Sequence, residues 1–217
     1  MIRIISAKPN EIEISKKAVE EYLGYYGIKA DEGINGLIEE SRNEFLKHVD
    51  YRACICKTDV SQSNGCVCLD FMKTESKSLC GNLKNCESAY VFAATTGAAV
   101  QRFISKSSLI SPLKGVVADC IGSAAIEAFC DFINRTLGDT DYLRPRFSPG
   151  YGDLPLTCQQ TLLDFLEAKK SIGLALTESG MLTPVKSVTA LIGIGNDKNK
   201  CTGKNCMVCD RRNCPYS

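Results

Sequence analysis

The chain has 217 residues, 44% of them hydrophobic, which is enough for a substantial core in one globular unit with a tail. Its 26 Lys and Arg against 25 Asp and Glu leave a formal charge of +1, which excludes recognition of nucleic acid or an anionic membrane by bulk charge. The opening residues lack a basic segment followed by an apolar core and a small-residue cleavage site, and no apolar run reaches the roughly 20 residues that span a bilayer, so a cytoplasmic protein is expected. Thirteen cysteines in such a chain read as reduced thiols or metal ligands rather than a disulfide framework.

In chain order, "MIRIIS" predicts a short strand, and Ser15 caps a helix through Tyr22 that Gly24 ends. Ile34, Leu37, Ile38, Phe45 and Val49 recur at helical spacing and predict a second helix with His48, the single histidine, in its last turn. There its cationic form suits the helix dipole, and a surface or packing role is preferred to catalysis. "ACICKTDVSQSNGCVCLDF" predicts a hairpin turning at Ser63, Asn64 and Gly65, with Cys54 and Cys56 on one face and Cys66 and Cys68 on one face of the partner strand. The four are placed to approach one another; a core role is preferred to a metal site.

"AYVFAAT" predicts a buried strand leading through Gly97 into the helix "TGAAVQRFISK", a weak anion-binding signal. A long helix is expected from Leu113 to Leu137, ended by Gly138, with Asp119 and Glu127 spaced to project towards one side. "TCQQTLLDFLEAKK" predicts a further helix capped by Thr157. "IGLALTES" and "SVTALIGIG" predict strands, joined by a loop "GMLTP" that contains Pro184.

Between the last long helices lies "RPRFSPGYGDLPL". Pro145, Pro149 and Pro155 exclude a helix, and Gly150 and Gly152 permit positive φ and leave the backbone bare to a ligand. Arg146 offers a planar cationic fork for a carboxylate and Tyr151 a ring and hydroxyl. From composition alone the stretch reads equally as a ligand-holding ribbon or an ordinary crossover loop.

The run Arg146-Phe147-Ser148-Pro149-Gly150-Tyr151 resembles the Arg-x-x-x-Gly-Tyr signature of the activation domain of cobalamin-dependent methionine synthase. "EAFCDFI", beginning at Glu127, is similar to that family's acidic helix, and "IGLALTES" with the downstream "TPVKSV" to its Leu-Thr-Glu-Ser block. The likeness runs from about Asp119 to Gly195; "EEYLGY" near the start is also similar to free-standing members. After Tyr151 the chain reads "GDLPLTC", without the histidine the full-length enzymes carry there.

The helices and strands read above, together with the resemblance, predict an α+β domain with a mainly antiparallel sheet flanked by helices, spanning 1–195. The resemblance also implies an S-adenosylmethionine site serving reductive remethylation of a cobalamin oxidised to cob(II)alamin. Carried over, Glu127 meets the ligand's amino group, Arg146 and the backbone of Phe147, Ser148, Pro149 and Gly150 hold its methionine and adenine parts, and Tyr151 lines the pocket. These 217 residues hold no cobalamin module, so the chain is expected to act as an accessory subunit on a separate methionine synthase or related corrinoid protein, with a reductive electron donor. Two rivals are a ligand-sensing scaffold and an electron-transfer adaptor.

The tail, 196–217, contains "CTGKNCMVCDRRNC". Cys201, Cys206, Cys209 and Cys214 stand at intervals of five, three and five in a polar stretch with no apolar face to bury them, which points to metal ligation. Zinc and an iron–sulfur cluster both suit four thiolates, and the one-electron chemistry implied by the resemblance favours the cluster.

Overall fold

The computed structural model describes residues 1–63, 65–138 and 141–195. The opening run forms β1 (Arg3–Ala7), and Ser15 caps α1 (Lys16–Tyr22) by accepting from the Ala18 N–H. Asp31 likewise caps α2 (Glu32–Phe45), accepting from the Ile34 N–H at 2.9 Å. This helix stops at Phe45, so His48 lies beyond its last turn; the imidazole stacks on Phe103 at 5.3 Å and lies 3.3 Å from Glu44, a packing role.

The expected hairpin is formed by β2 (Tyr51–Ser63) and β3 (Cys66–Leu69), followed by β4 (Met72–Glu75) and α3 (Lys77–Asn82), neither of which was anticipated. Its cysteines do not converge. Cys66 and Cys68 pair with Ser63 and Ser61, whereas Cys54 and Cys56 face Ala93 and Val91 of β5 (Cys86–Thr95). The five residues from Cys56 to Ser61 separate the pairs by roughly 16 Å at the rise of a strand. Cys54 and Cys56 are buried, and burial pushes the Cys54 thiol up to about 12, so it stays neutral as a small core residue. Among the described residues no cluster of His, Cys, Asp and Glu is arranged to hold a metal.

Gly97, with φ +90°, turns β5 into α4 (Ala98–Ile110), and the 27-residue α5 (Pro112–Gly138) follows. After β6 (Tyr142–Leu143) the expected long helix is divided into α6 (Cys158–Phe165) and α7 (Ala168–Ile172), because Glu167 takes a left-handed conformation at φ 45°. Thr157 is already in the right-handed helical region and makes no side-chain cap. "IGLALTES" contributes only β7 (Ala175–Leu176), and the supposed loop contains its partner β8 (Leu182–Thr183). The Thr-Glu-Ser-Gly run between them closes a turn, with the Gly180 N–H donating to the Thr177 carbonyl. The last strand, β9 (Ser187–Gly195), agrees with its expected bounds.

All sheet pairings are antiparallel, in the order β4-β3-β2-β5-β9-β6, with β1 added beside the first half of β2. Alternation along the central strands splits the core in two. Phe92, Ala94 and Ile192 face α1, α2 and α5, while Val91, Ala93 and Leu191 face α3, α6 and α7. The α+β architecture with a mainly antiparallel sheet is as expected; the proposed boundary at 195/196 and the tail lie at and beyond the edge of the described residues. No described helix is long and apolar enough to cross a membrane.

Phe129 of α5 is fully buried and lies 5.0 Å from the Tyr51 ring of β2, joining the long helix to the sheet. Phe129→Ala is expected to lower stability by about 3–5 kcal/mol, read as a shift in the urea unfolding midpoint.

Candidate functional site

Glu127 and Asp131 lie four residues apart on α5 and so share a helical face. Arg146 reaches them from the proline-glycine ribbon, with Nη2 2.9 Å from Glu127 Oε2 and Nη1 2.7 Å from Asp131 Oδ1. The guanidinium side chain is only 11% exposed, whereas the carboxylates keep 46% and 65% exposure. Three charged groups of net charge −1 are thereby fixed at one wall, a composition that favours a cationic ligand.

The ribbon is held from both sides. Phe147 exchanges two 2.9 Å backbone hydrogen bonds with Leu191 of β9, and the Arg144 N–H donates to the Gly193 carbonyl at 2.8 Å, so the segment extends the sheet edge begun by β6. It then folds into a turn in which the Tyr151 N–H donates to the Ser148 carbonyl and the Gly150 N–H to the Leu154 carbonyl. The bare backbone expected to serve a ligand therefore uses these two donors within its own turn.

Asp153 ties the far end to α3. Its carboxylate accepts from the Ser76 hydroxyl, the Lys77 N–H at 2.8 Å and the Ser78 N–H at 3.1 Å. The Ser76 hydroxyl, followed by the two backbone donors, holds the Asp153 carboxyl down at about 2 despite the opposing effect of desolvation. Gly152, at φ +54°, passes so close that an added Cβ would stand 2.5 Å from the Ser78 hydroxyl, which is why no larger residue fits this crossing.

Between ribbon, α5 and β9 opens a cleft of about 200 Å³, lined by Glu127, Arg146, Ser148 and Tyr151 together with Gln159, Leu182 and the Ser187–Thr189 segment. The structure thus brings together four of the expected ligand-binding residues. Phe147 instead is buried in the core beneath, edge-on to Tyr151 at 6.1 Å, and Pro149 and Gly150 shape the turn without lining the cleft. Burial, followed by the Glu127 charge, raises the Tyr151 phenol, leaving it a protonated hydrogen-bond donor at neutral pH. Asp119, two turns before Glu127 on the same helix, pairs with Lys186 at 2.8 Å and does not line the cleft.

Residues 130–200 match the family model of the vitamin B12 dependent methionine synthase activation domain. That match covers the ribbon, the β7–β8 hairpin and β9, and begins three residues after Glu127. The fold is similar to a solved "MetH Reactivation Domain bound to AdoHcy", with a TM-score of 0.68 and 13% identity over 91% of this chain and 79% of that one. No curated protein sequence matches the chain. The activation-domain resemblance drawn from the Arg146–Tyr151 run is therefore met by both the family match and the architecture.

Sequence reading left out Asp131, Gln159, Ser187 and Thr189. Asp131 had a signal, its one-turn spacing from Glu127; the others reach the cleft only because α6 and β9 pack beside the ribbon. The metal ligands expected at Cys201, Cys206, Cys209 and Cys214 lie outside the described residues.

Asp153→Asn is expected to loosen the junction of ribbon and α3. Because the folded carboxyl titrates below its ordinary 3.8, its stabilisation is present above that value and is lost as pH falls towards about 2. Thermal melts should show the variant less stable than the parent at pH 7, with the gap closing in that acidic window.

Proposed function

We propose that this chain is an activation subunit that binds S-adenosylmethionine and docks on a separate cobalamin-dependent methionine synthase or related corrinoid protein, supporting reductive remethylation of its cob(II)alamin. The observation that carries the reading is the Glu127–Arg146–Asp131 cluster placed against the Ser148–Tyr151 turn, with Asp131, Arg146 and the turn inside the segment that matches the activation-domain family and Glu127 one helical turn before Asp131. The ligand is suggested by the similar fold having been solved with AdoHcy.

In this reading Glu127, half exposed and already oriented by Arg146, accepts the ligand's ammonium group. Arg146 and the following backbone hold the methionine and adenine portions, and the Tyr151 hydroxyl closes the cleft. The excess negative charge of the cluster also favours the sulfonium of the methyl donor over a neutral thioether. The ligand supplies the methyl group, the partner supplies the cobalt that receives it, and an external donor supplies the reducing electron. The chain's own part is to bind and orient the donor.

The cysteine tail supports an additional role. Four thiolates at intervals of five, three and five, flanked by Lys200, Lys204, Arg211 and Arg212, suit an iron–sulfur cluster that relays the electron, or a zinc-stapled docking element. Anaerobic reconstitution followed by visible absorbance separates the two, since a cluster is coloured and zinc is not. Removal of 201–217 is expected to weaken docking and leave ligand binding intact.

Calorimetric titration of S-adenosylmethionine into the purified protein is expected to show saturable binding. It should weaken about tenfold or more in Arg146→Ala, which leaves both carboxylates unpaired, and in Glu127→Gln, which removes the charge that meets the ligand's ammonium group. An absence of binding, or equal binding by both variants with melting temperatures like the parent's, would overturn the assignment of the site.

A further inference from the structure

A second, larger concavity of about 590 Å³ lies on the other side of the β7–β8 hairpin, between α4 and α7. One wall is a stripe of α4 at helical spacing, in which Arg102 and Lys106 follow one another by a turn and Leu109 closes the end. Lys169 of α7 stands on the opposite side, and Thr183 and Pro184 form the edge. No acidic residue lines it.

Among the described residues Arg102, Lys106 and Lys169 enter no ion pair, while Lys114, Lys170 and Lys186 are all engaged. Three cations without an ion-pair partner among the described residues thus share one concave place, where other such cations are scattered over the surface. Beside it, Leu109 and Ile110 are 89% and 66% exposed at the end of α4, an apolar edge that continues beyond the groove. The chain's own tail does not complement this surface, because 196–217 contains five basic residues against two acidic ones.

The groove also adjoins the ligand cleft across β8. Leu182 lines the cleft and Thr183, the next residue, lines the groove, so the two share the β8 strand as a common wall. Whatever occupies the groove is held within a strand's width of the bound ligand.

We propose that this groove is a docking surface for an acidic segment of the corrinoid-carrying partner, its carboxylates meeting Arg102, Lys106 and Lys169 and an apolar side chain covering Leu109. The inference rests on the activation-subunit reading for the identity of the partner. Charge and apolar edge together select a protein segment, because the contact extends past the groove to Ile110.

The test is biolayer interferometry of the full chain against a cobalamin-dependent methionine synthase truncated to lack its own activation domain, with Arg102→Glu/Lys106→Glu/Lys169→Glu beside the charge-conserving Arg102→Lys/Lys106→Arg. The charge-reversed protein is expected to lose about tenfold or more in affinity, raised salt to weaken the parent similarly, and the charge-conserving variant to bind like the parent. All three are exposed surface positions, and unchanged calorimetric binding of S-adenosylmethionine confirms an intact fold. No binding by the parent, or equal binding by the charge-reversed protein, overturns the proposal. So does a result in which the reversal abolishes only sedimentation with phosphatidylserine vesicles or only self-association. Because binding is read without turnover, charge-dependent binding with no reactivation would reject the activation role and keep the docking surface.

Discussion

The guanidinium of Arg146 lies between two carboxylates one turn apart on α5 and is almost wholly removed from water. An isolated cation in that position would be costly, and two charge-assisted hydrogen bonds offset the cost while allowing only one placement of the ribbon against the helix. From that placement follow the pairing of Phe147 with β9, the turn at Ser148–Tyr151 and the line of approach to Asp153. The cleft exists because α5, ribbon and sheet edge are fixed to one another by this cluster.

A second layer of constraint works through the sheet. β2, β5 and β9 form an antiparallel centre whose alternating side chains supply both cores, with α5 seated on one and the α3, α6 and α7 group on the other. The ribbon crosses from one layer to the other: Arg146 reaches α5, whereas Phe147 is buried with α6 on the opposite side. Successive residues of an extended chain point to opposite faces, so a single-residue step suffices to couple the layers. The short β7–β8 hairpin then separates the acidic cleft from the basic groove, giving neighbouring surfaces of opposite charge.

The local signals that were legible are those whose physics is local. Ser15 caps α1, Gly97 turns β5 into α4 at positive φ, and the apolar periodicity from Val117 to Leu137 forms one helix. The helix read through Lys170 failed at Glu167, where tertiary packing imposes a left-handed residue that no glycine announced. The four hairpin cysteines failed for a different reason. Alternation puts each pair on a face but says nothing of register, and the register of β2 with β3 sets them five residues apart.

By itself the sequence determined an α+β chain with a rigid, glycine-bearing ribbon, a family-like Arg146–Tyr151 run and a helix carrying Glu127, because backbone restriction, periodicity and motif spacing are properties of neighbouring residues. Only the tertiary structure decided that Arg146 is held by Glu127 together with Asp131, that Phe147 is core while Gln159, Ser187 and Thr189 line the cleft, and that Arg102, Lys106 and Lys169 share a groove. Those groupings join residues as far apart in the chain as Arg102 and Lys169, and such pairings are fixed by sheet register and helix packing rather than by any local preference.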